Sequence, residues 1–397
     1  MKRYEKKFKF LDYYILIPFL ILSVVGIIMV YSSSSDISMQ TGGTPTSYLI
    51  RQTLFFFVGI AMVIGLFRFN LKKLQNARFL FVIWCIFAVV FLGLLVVGKT
   101  VNGAAGWINL GFISIQPAEF SKYFLIILSA YYVSIPRRQS EMHESNWDWW
   151  RELAAPMMLS GILIVLILAQ PDLGGAVINF SAVSVIWLAS GMGIKRSTGW
   201  LVGALGVGYF GLLPLLSWMA NGPLAGHSYK LQRIVAFENP FAHAQSVGQQ
   251  LVNSYYALSN GGLFGVGLGR SIQKTGYLPM PNTDFIIAIT AEELGLLFCL
   301  FLVILLATII LRTVMLGIKS KNNFYSLICY GIATYFTVQT MFNLGGVLGL
   351  LPITGVTFPF VSYGGSSMIT ASIAIGTLLN ISAKEKNERR IRWIHGI

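Results

Sequence analysis

Charge is what this chain has least of. Asp, Glu, Lys and Arg make up only 11% of its 397 residues, against 55% hydrophobic and 14% aromatic, with a mean hydropathy of +0.69. That is too little polar surface for a soluble protein of this size. Acids are the scarcer sign, 15 against 29 bases for a net charge of +14, and they form no ligand cluster that demands a metal ion. Cysteine is rarer still. Cys85, Cys299 and Cys329 each fall inside an apolar run, where a thiol behaves as a small apolar side chain, so no disulfide framework or thiolate metal site is indicated.

What is present is a series of apolar runs. Each is long enough to cross the hydrocarbon, which takes about 20 residues, and backbone groups in lipid must be satisfied internally, so the runs read as helices rather than barrel strands. Spans are expected at Tyr13–Tyr31, Tyr48–Phe67, Phe79–Val97, Ala118–Ser134, Ala154–Gln170, Gly174–Ser190, Trp200–Ser217, Phe285–Leu311, Phe324–Gly345 and Gly365–Ile381. The expected fold is an all-α polytopic membrane protein, a single domain over residues 1–397 with ten transmembrane helices. The fifth and sixth spans meet at Gln170-Pro171-Asp172-Leu173-Gly174 as a tight helical hairpin. Residues 1–35 resemble a signal peptide, but the apolar run is too long for one and further spans follow, so a retained first helix is expected.

Cytoplasmic loops retain Lys and Arg. With both termini inside, most of the 29 bases fall on the cytoplasmic side, including the basic tail 384–397. The positive charge thus reports topology and contact with anionic membrane lipid, and gives no reason to invoke nucleic acid. Arg51, Lys99, Lys122, Lys230, Arg233, Arg270 and Lys274 remain on or near the outer side, where a cation is costly unless it meets an acid, a polar cavity or an anionic ligand. Lys122 follows Glu119 by three residues, on one helix face, as either a self-neutralising pair or part of a functional pathway. Arg51 reads as a snorkelling residue or a ligand contact. Residues 98–116 read as an outer loop or re-entrant dip, with Trp107 in the interfacial aromatic belt or stacked on a sugar. The glycine series 261–269 follows no strand and is no cofactor loop.

Between the seventh and eighth spans lies a large extracellular loop, 218–283. Connections of that length are functional or disordered, and its apolar content suggests ordered short helices on the membrane surface. Lys230 and Arg233, at i and i+3, are spaced to grip one phosphate together. The loop ends at Asn282-Thr283-Asp284-Phe285. Asp284 reads either as a cap of the eighth span or as a general base near the water interface. Gln170, Asp172, Ser362, Tyr363, Ser366 and Ser367 add polar groups at the same level, each also explicable as a cap or turn residue.

Five motifs in order, Gln116-Pro-Ala-Glu-Phe-Ser-Lys122, Gln170-Pro-Asp-Leu-Gly174, Gly267-Leu-Gly-Arg-Ser-Ile-Gln-Lys274, Thr283-Asp-Phe285 with Ala291-Glu-Glu-Leu-Gly295, and Ser362-Tyr-Gly-Gly-Ser-Ser367, resemble the SEDS family (shape, elongation, division and sporulation) over nearly the whole length. Residues 267–274 and 351–360 are more similar to its division branch than to its elongation branch. Asn282 departs from a histidine common in that family. The resemblance implies a peptidoglycan glycosyltransferase that polymerises lipid II at the outer face of the cytoplasmic membrane, at the division septum. It would work with a class B penicillin-binding protein and other divisome membrane proteins. It further implies that Asp284 deprotonates the acceptor GlcNAc 4-hydroxyl for inverting attack on the donor MurNAc anomeric carbon, displacing undecaprenyl pyrophosphate. Arg51, Lys122, Lys230 and Arg233 are the candidate cations for that leaving group, with Glu119, Trp107 and Ser362 as further site residues. No cofactor is required by the reading; a divalent cation, Mg or Mn, is compatible with it. The competing readings are an elongation polymerase, a lipid II flippase and a scaffold that activates a synthase.

Overall fold

The computed structural model describes residues 7–40, 46–97, 99–101, 104–109, 114–135, 146–189, a few positions between 198 and 218, and 229–395. The described chain is almost entirely helical: α1 (Tyr13–Gln40), α2 (Thr46–Arg68), α3 (Ala77–Val97), α4 (Pro117–Val133), α5 (Asn146–Ala169), α6 (Leu173–Leu188), α7 (Tyr229–Glu238), α8 (Gln249–Gly261), α9 (Ile286–Leu294), α10 (Leu296–Lys319), α11 (Asn323–Val347) and α12 (Gly365–His395). Among the described residues, five helical stretches are long and apolar enough to cross a membrane: Tyr13–Ser35, Thr46–Arg68, Ala77–Val96, Leu296–Lys319 and Gly365–Ile391. Pro156–Ala169 and Leu173–Leu188 are shorter apolar helices. This is a multi-pass membrane protein. Its outward faces carry exposed Phe57, Val89, Ile304 and Ile318, while Phe19, Ile126, Ile186, Ile328, Phe336 and Ile375 fill the interior.

The α5–α6 hairpin forms where the sequence placed it. Asp172 caps α6 by accepting from Gly175 N at 2.7 Å and also accepts from Gln116 Nε2 at 2.9 Å, which ties the hairpin to the start of α4. Four expectations need correction or lie out of reach. The seventh span, Trp200–Ser217, falls largely outside the described residues. Residues 98–116, expected as loop or dip, contain a small antiparallel sheet, β1 (Lys99–Val101), β2 (Ala104–Asn109) and β3 (Ser114–Ile115); short strands between glycines leave no hydrophobic period to read. The basic tail is not separate, since α12 continues through it to His395.

The fourth correction concerns the eighth span. Phe285–Leu311 is two helices that double back. At its start, α9 lies deep: Asn343 Nδ2 donates to Asp284 O at 2.8 Å, and Tyr363 N donates to Asn282 O at 2.9 Å. The neighbouring Phe360 and Val361 press on α1 at Gly26, where an added Cβ would stand 2.5 Å from Phe360 O. At its other end, Glu293 accepts from Ser32 Oγ of α1 at 2.7 and 2.8 Å. Ser32 lies six residues, about 9 Å, further along α1 than Gly26, so α9 climbs toward the Gln40 end of α1. Cys299 Sγ of α10 is then 3.7 Å from Ile287 O, which requires α10 to descend beside α9. The reversal occurs at Gly295, φ +85°, a conformation in which a Cβ is strained. An apolar run carries no record of such a turn; only the pair Glu292-Glu293 inside it signals one.

Candidate active site

Asp284 sits just before α9, at the end of that helix opposite the Gly295 turn. It is not a cap: the N-cap residue of α9 is Phe285, and no side chain caps it. The carboxylate instead stands half-buried in a narrow cleft lined by Asp284, Asn343, Thr354, Gly355 and the apolar Phe342 and Ile353 among others. Non-helical backbone at this depth is tolerated because protein surrounds it and satisfies its polar groups.

The segment 348–364, between α11 and α12, organises the site. Ser362, 5% exposed, accepts from Phe358 N at 2.8 Å and donates to Thr283 O at 2.7 Å, so it holds the turn that carries Asp284. Asn343 Nδ2 donates to Val356 O at 2.8 Å as well as to Asp284 O. Arg233 of α7 donates from Nη1 to Ile353 O at 3.1 Å. Gly355 has φ +76°, and a Cβ there would lie 3.5 Å from Asp284 Oδ2 and 3.6 Å from Arg233 Nη1, so the missing side chain leaves the gap in which carboxylate and guanidinium face each other. Removing Asn343 would leave the two buried carbonyls without a donor. Asn343→Ala is expected to cost about 1–3 kcal/mol, read as a lower melting temperature in detergent.

Burial raises the Asp284 pKa above the usual carboxylate range, while the Arg233 charge and a hydrogen bond from Thr283 hold it back. A base acts when deprotonated, so its activity falls as pH drops through that pKa. Arg233→Gln removes the lowering influence, and the acid limb of the kcat/KM profile is expected to move to higher pH. An unmoved limb would show that Arg233 exerts no field on the carboxylate.

The other expected residues distribute as follows. Lys122, 2% exposed, pairs with Glu119 Oε1 at 2.7 Å and donates to Gln339 Oε1 at 3.2 Å; Gln339 in turn donates to Thr357 O at 3.0 Å. The pair therefore reaches the site through the 348–364 segment. Arg51 hydrogen-bonds the Tyr363 side chain, lowering a phenol pKa that burial raises, and Tyr48 packs edge-on against the same ring at 5.0 Å. Trp107 lies half-buried on β2 opposite Lys99, a strand whose Gly106 faces the Gln170 amide of the α5–α6 turn. Lys230 is in α7, and its side chain lies outside the described residues. Among the described residues no group of three or more His, Cys, Asp or Glu gathers in metal-binding fashion. Asn343 and Gln339 are not among the residues that the sequence singles out; the signal that could find them is two amides four residues apart in an apolar span.

The chain matches the FtsW/RodA/SpoVE family, described as "Cell cycle protein", over residues 13–387. It belongs to that family. Among its relatives is a "probable peptidoglycan glycosyltransferase FtsW" of Lactococcus lactis subsp. lactis (strain IL1403), 37% identical over 396 residues and covering 96% of this chain and 94% of the relative. A protein of the same description from Enterococcus hirae is 38% identical over 387 residues, with the same coverage. Two solved structures share the fold. A chain from a study of structural coordination of polymerization and crosslinking by a peptidoglycan synthase complex aligns with TM-score 0.73 and 24% identity, covering 94% of this chain and 98% of that one. The rod shape determining protein RodA of Thermus thermophilus aligns with TM-score 0.63 and 24% identity, covering 94% and 96%.

Proposed function

We infer that this protein is a peptidoglycan glycosyltransferase that polymerises lipid II into glycan strands at the outer face of the cytoplasmic membrane, in septal synthesis. The observation that carries the mechanism is the recessed Asp284 carboxylate, pinned by its backbone, facing Arg233 across Gly355 and open on one side. Asp284 takes the proton of the acceptor GlcNAc 4-hydroxyl as that oxygen bonds to the donor MurNAc anomeric carbon. The bond to undecaprenyl pyrophosphate breaks on the opposite face, with inversion. Charge developing on the diphosphate is stabilised by fixed cations. Arg233 and Arg51 are the candidates with a half-buried or exposed position, and Lys122, held by Glu119, acts from within.

The relatives' names support the division role, and the synthase complex among the similar folds supports a cross-linking partner, a class B penicillin-binding protein. The topology proposed is ten spans with both termini cytoplasmic and residues 218–283 outside. A divalent cation, Mg or Mn, would be held by the diphosphate rather than by a protein cluster. The test is purified full-length protein given lipid II alone, with products separated by strand length. Strands of several disaccharides are expected. Transfer of lipid II between leaflets without chain growth would replace this reading with the transporter.

A further inference from the structure

The cleft beside Asp284 contains two polar atoms that the fold leaves unused. Asn343 is 3% exposed, and both hydrogens of its Nδ2 go to carbonyl oxygens, Asp284 O and Val356 O, at 2.8 Å each. Two carbonyl partners fix which end of the amide is the donor. Asn343 Oδ1 must therefore point elsewhere, and it has no hydrogen-bond partner although it is buried. Thr354 Oγ1 is likewise buried and without a partner. Both residues line the cleft with Asp284. Buried polar groups are nearly always satisfied, and an exception calls for an explanation such as a ligand.

We propose that Asn343 Oδ1 and Thr354 Oγ1 form a subsite for a hydroxyl group of the acceptor sugar adjacent to the one that Asp284 deprotonates. An amide oxygen only accepts, so its partner must carry a proton. An ionised diphosphate carries none and would be repelled by the neighbouring carboxylate. This wall of the cleft therefore belongs to the acceptor, and the diphosphate belongs with the cations. On the acceptor ring both carbons flanking the reacting 4-position lead to hydroxyls, at C3 and C6. The inference rests on the acceptor role given to Asp284 above.

The test is a substrate cycle. A lipid II donor blocked at its own 4-hydroxyl is paired with an acceptor disaccharide whose anomeric diphosphate is replaced by a non-leaving group, which limits reaction to one transfer; the acceptor carries the natural GlcNAc or its 3-deoxy or 6-deoxy analogue. Thr354→Val removes the hydroxyl without changing shape or any existing hydrogen bond. Wild-type protein is expected to lose roughly three- to tenfold in kcat/KM with one deoxy acceptor, the scale of a neutral hydrogen bond. Thr354→Val is expected to show the same loss with the natural acceptor, no further loss with that analogue, and an unchanged KM for the blocked donor. The proposal is overturned if Thr354→Val matches wild type with every acceptor, if its deoxy penalty persists in full, or if the donor KM rises instead. Asp284→Asn run alongside separates the two readings: activity in that variant would refute the base itself, whereas its inactivity together with a wild-type-like Thr354→Val refutes only the subsite.

Discussion

Asp284→Asn is expected to slow lipid II polymerisation by about 10²–10⁴-fold, the range that a positioned general base contributes, with no change in melting temperature. The amide keeps the size of the carboxylate but cannot take the acceptor proton. The fold does not depend on the acid. Asn343 and Ser362 grip the backbone of residues 283 and 284 rather than the Asp284 side chain, and no side chain caps α9. Replacing a half-buried carboxylate also removes a desolvated charge, so stability is held or gained. The rate is measured as strand formation by purified protein, and a variant within a few-fold of wild type would mean that another group takes the proton.

The largest effect on stability is expected at the Gly295 turn of the hairpin. Lys274 Nζ lies 2.7 Å from Glu293 Oε1, with side chains only 7% and 0% exposed, and also donates to Ser32 Oγ at 3.1 Å. Glu292 beside it accepts from Asn260 Nδ2 at 2.9 Å, Ile272 N at 3.0 Å, Gln273 N at 3.3 Å and the Ser271 hydroxyl. Together the two acids fasten residues 260–274 over the end of α9. Glu293→Ala leaves the buried ammonium of Lys274 with the Ser32 hydroxyl but no counter-charge, which costs about 3–5 kcal/mol. Thermal melting in detergent reads the loss. The double variant Lys274→Met, Glu293→Gln is expected to recover most of it, because it removes the stranded charge. Equal melting of wild type and Glu293→Ala would mean that water reaches this turn.

The sequence conveyed the spans and the chemistry unevenly. The span expected at Phe79–Val97 was legible because nearly twenty apolar residues in succession admit little else, and the helix Ala77–Val97 contains it. The acid at 284 and the Lys122–Glu119 pair were legible because charge is so rare here that each occurrence needs a reason. Lys274 is one of the cations that the sequence leaves in want of an acid, and Glu293 supplies it. The doubling back at Gly295 was not legible, since hydropathy is blind to direction. Nor was the way Ser362 and Asn343 act: Ser362 read as a turn or site residue and Asn343 as part of a span, with no sign that each holds the backbone beside Asp284. Their importance comes from partners 79 and 59 positions away, and one chain read alone gives no such pairing.

The re-entrant hairpin also bears on how the protein is made. To the insertion machinery, residues 285–311 form one apolar stretch of spanning length. In the finished molecule only α10 has that role, because the nine residues of α9 extend about 14 Å, under half of the ~30 Å hydrocarbon thickness. Of the two helices, Leu296–Lys319 alone is long and apolar enough to cross, so α9 depends on contacts with the rest of the bundle for its place. The groups that grip the backbone at Asp284 come from α11 and the 348–364 segment, later in the chain, so a chain that ends before residue 343 has neither of these holds on the acid.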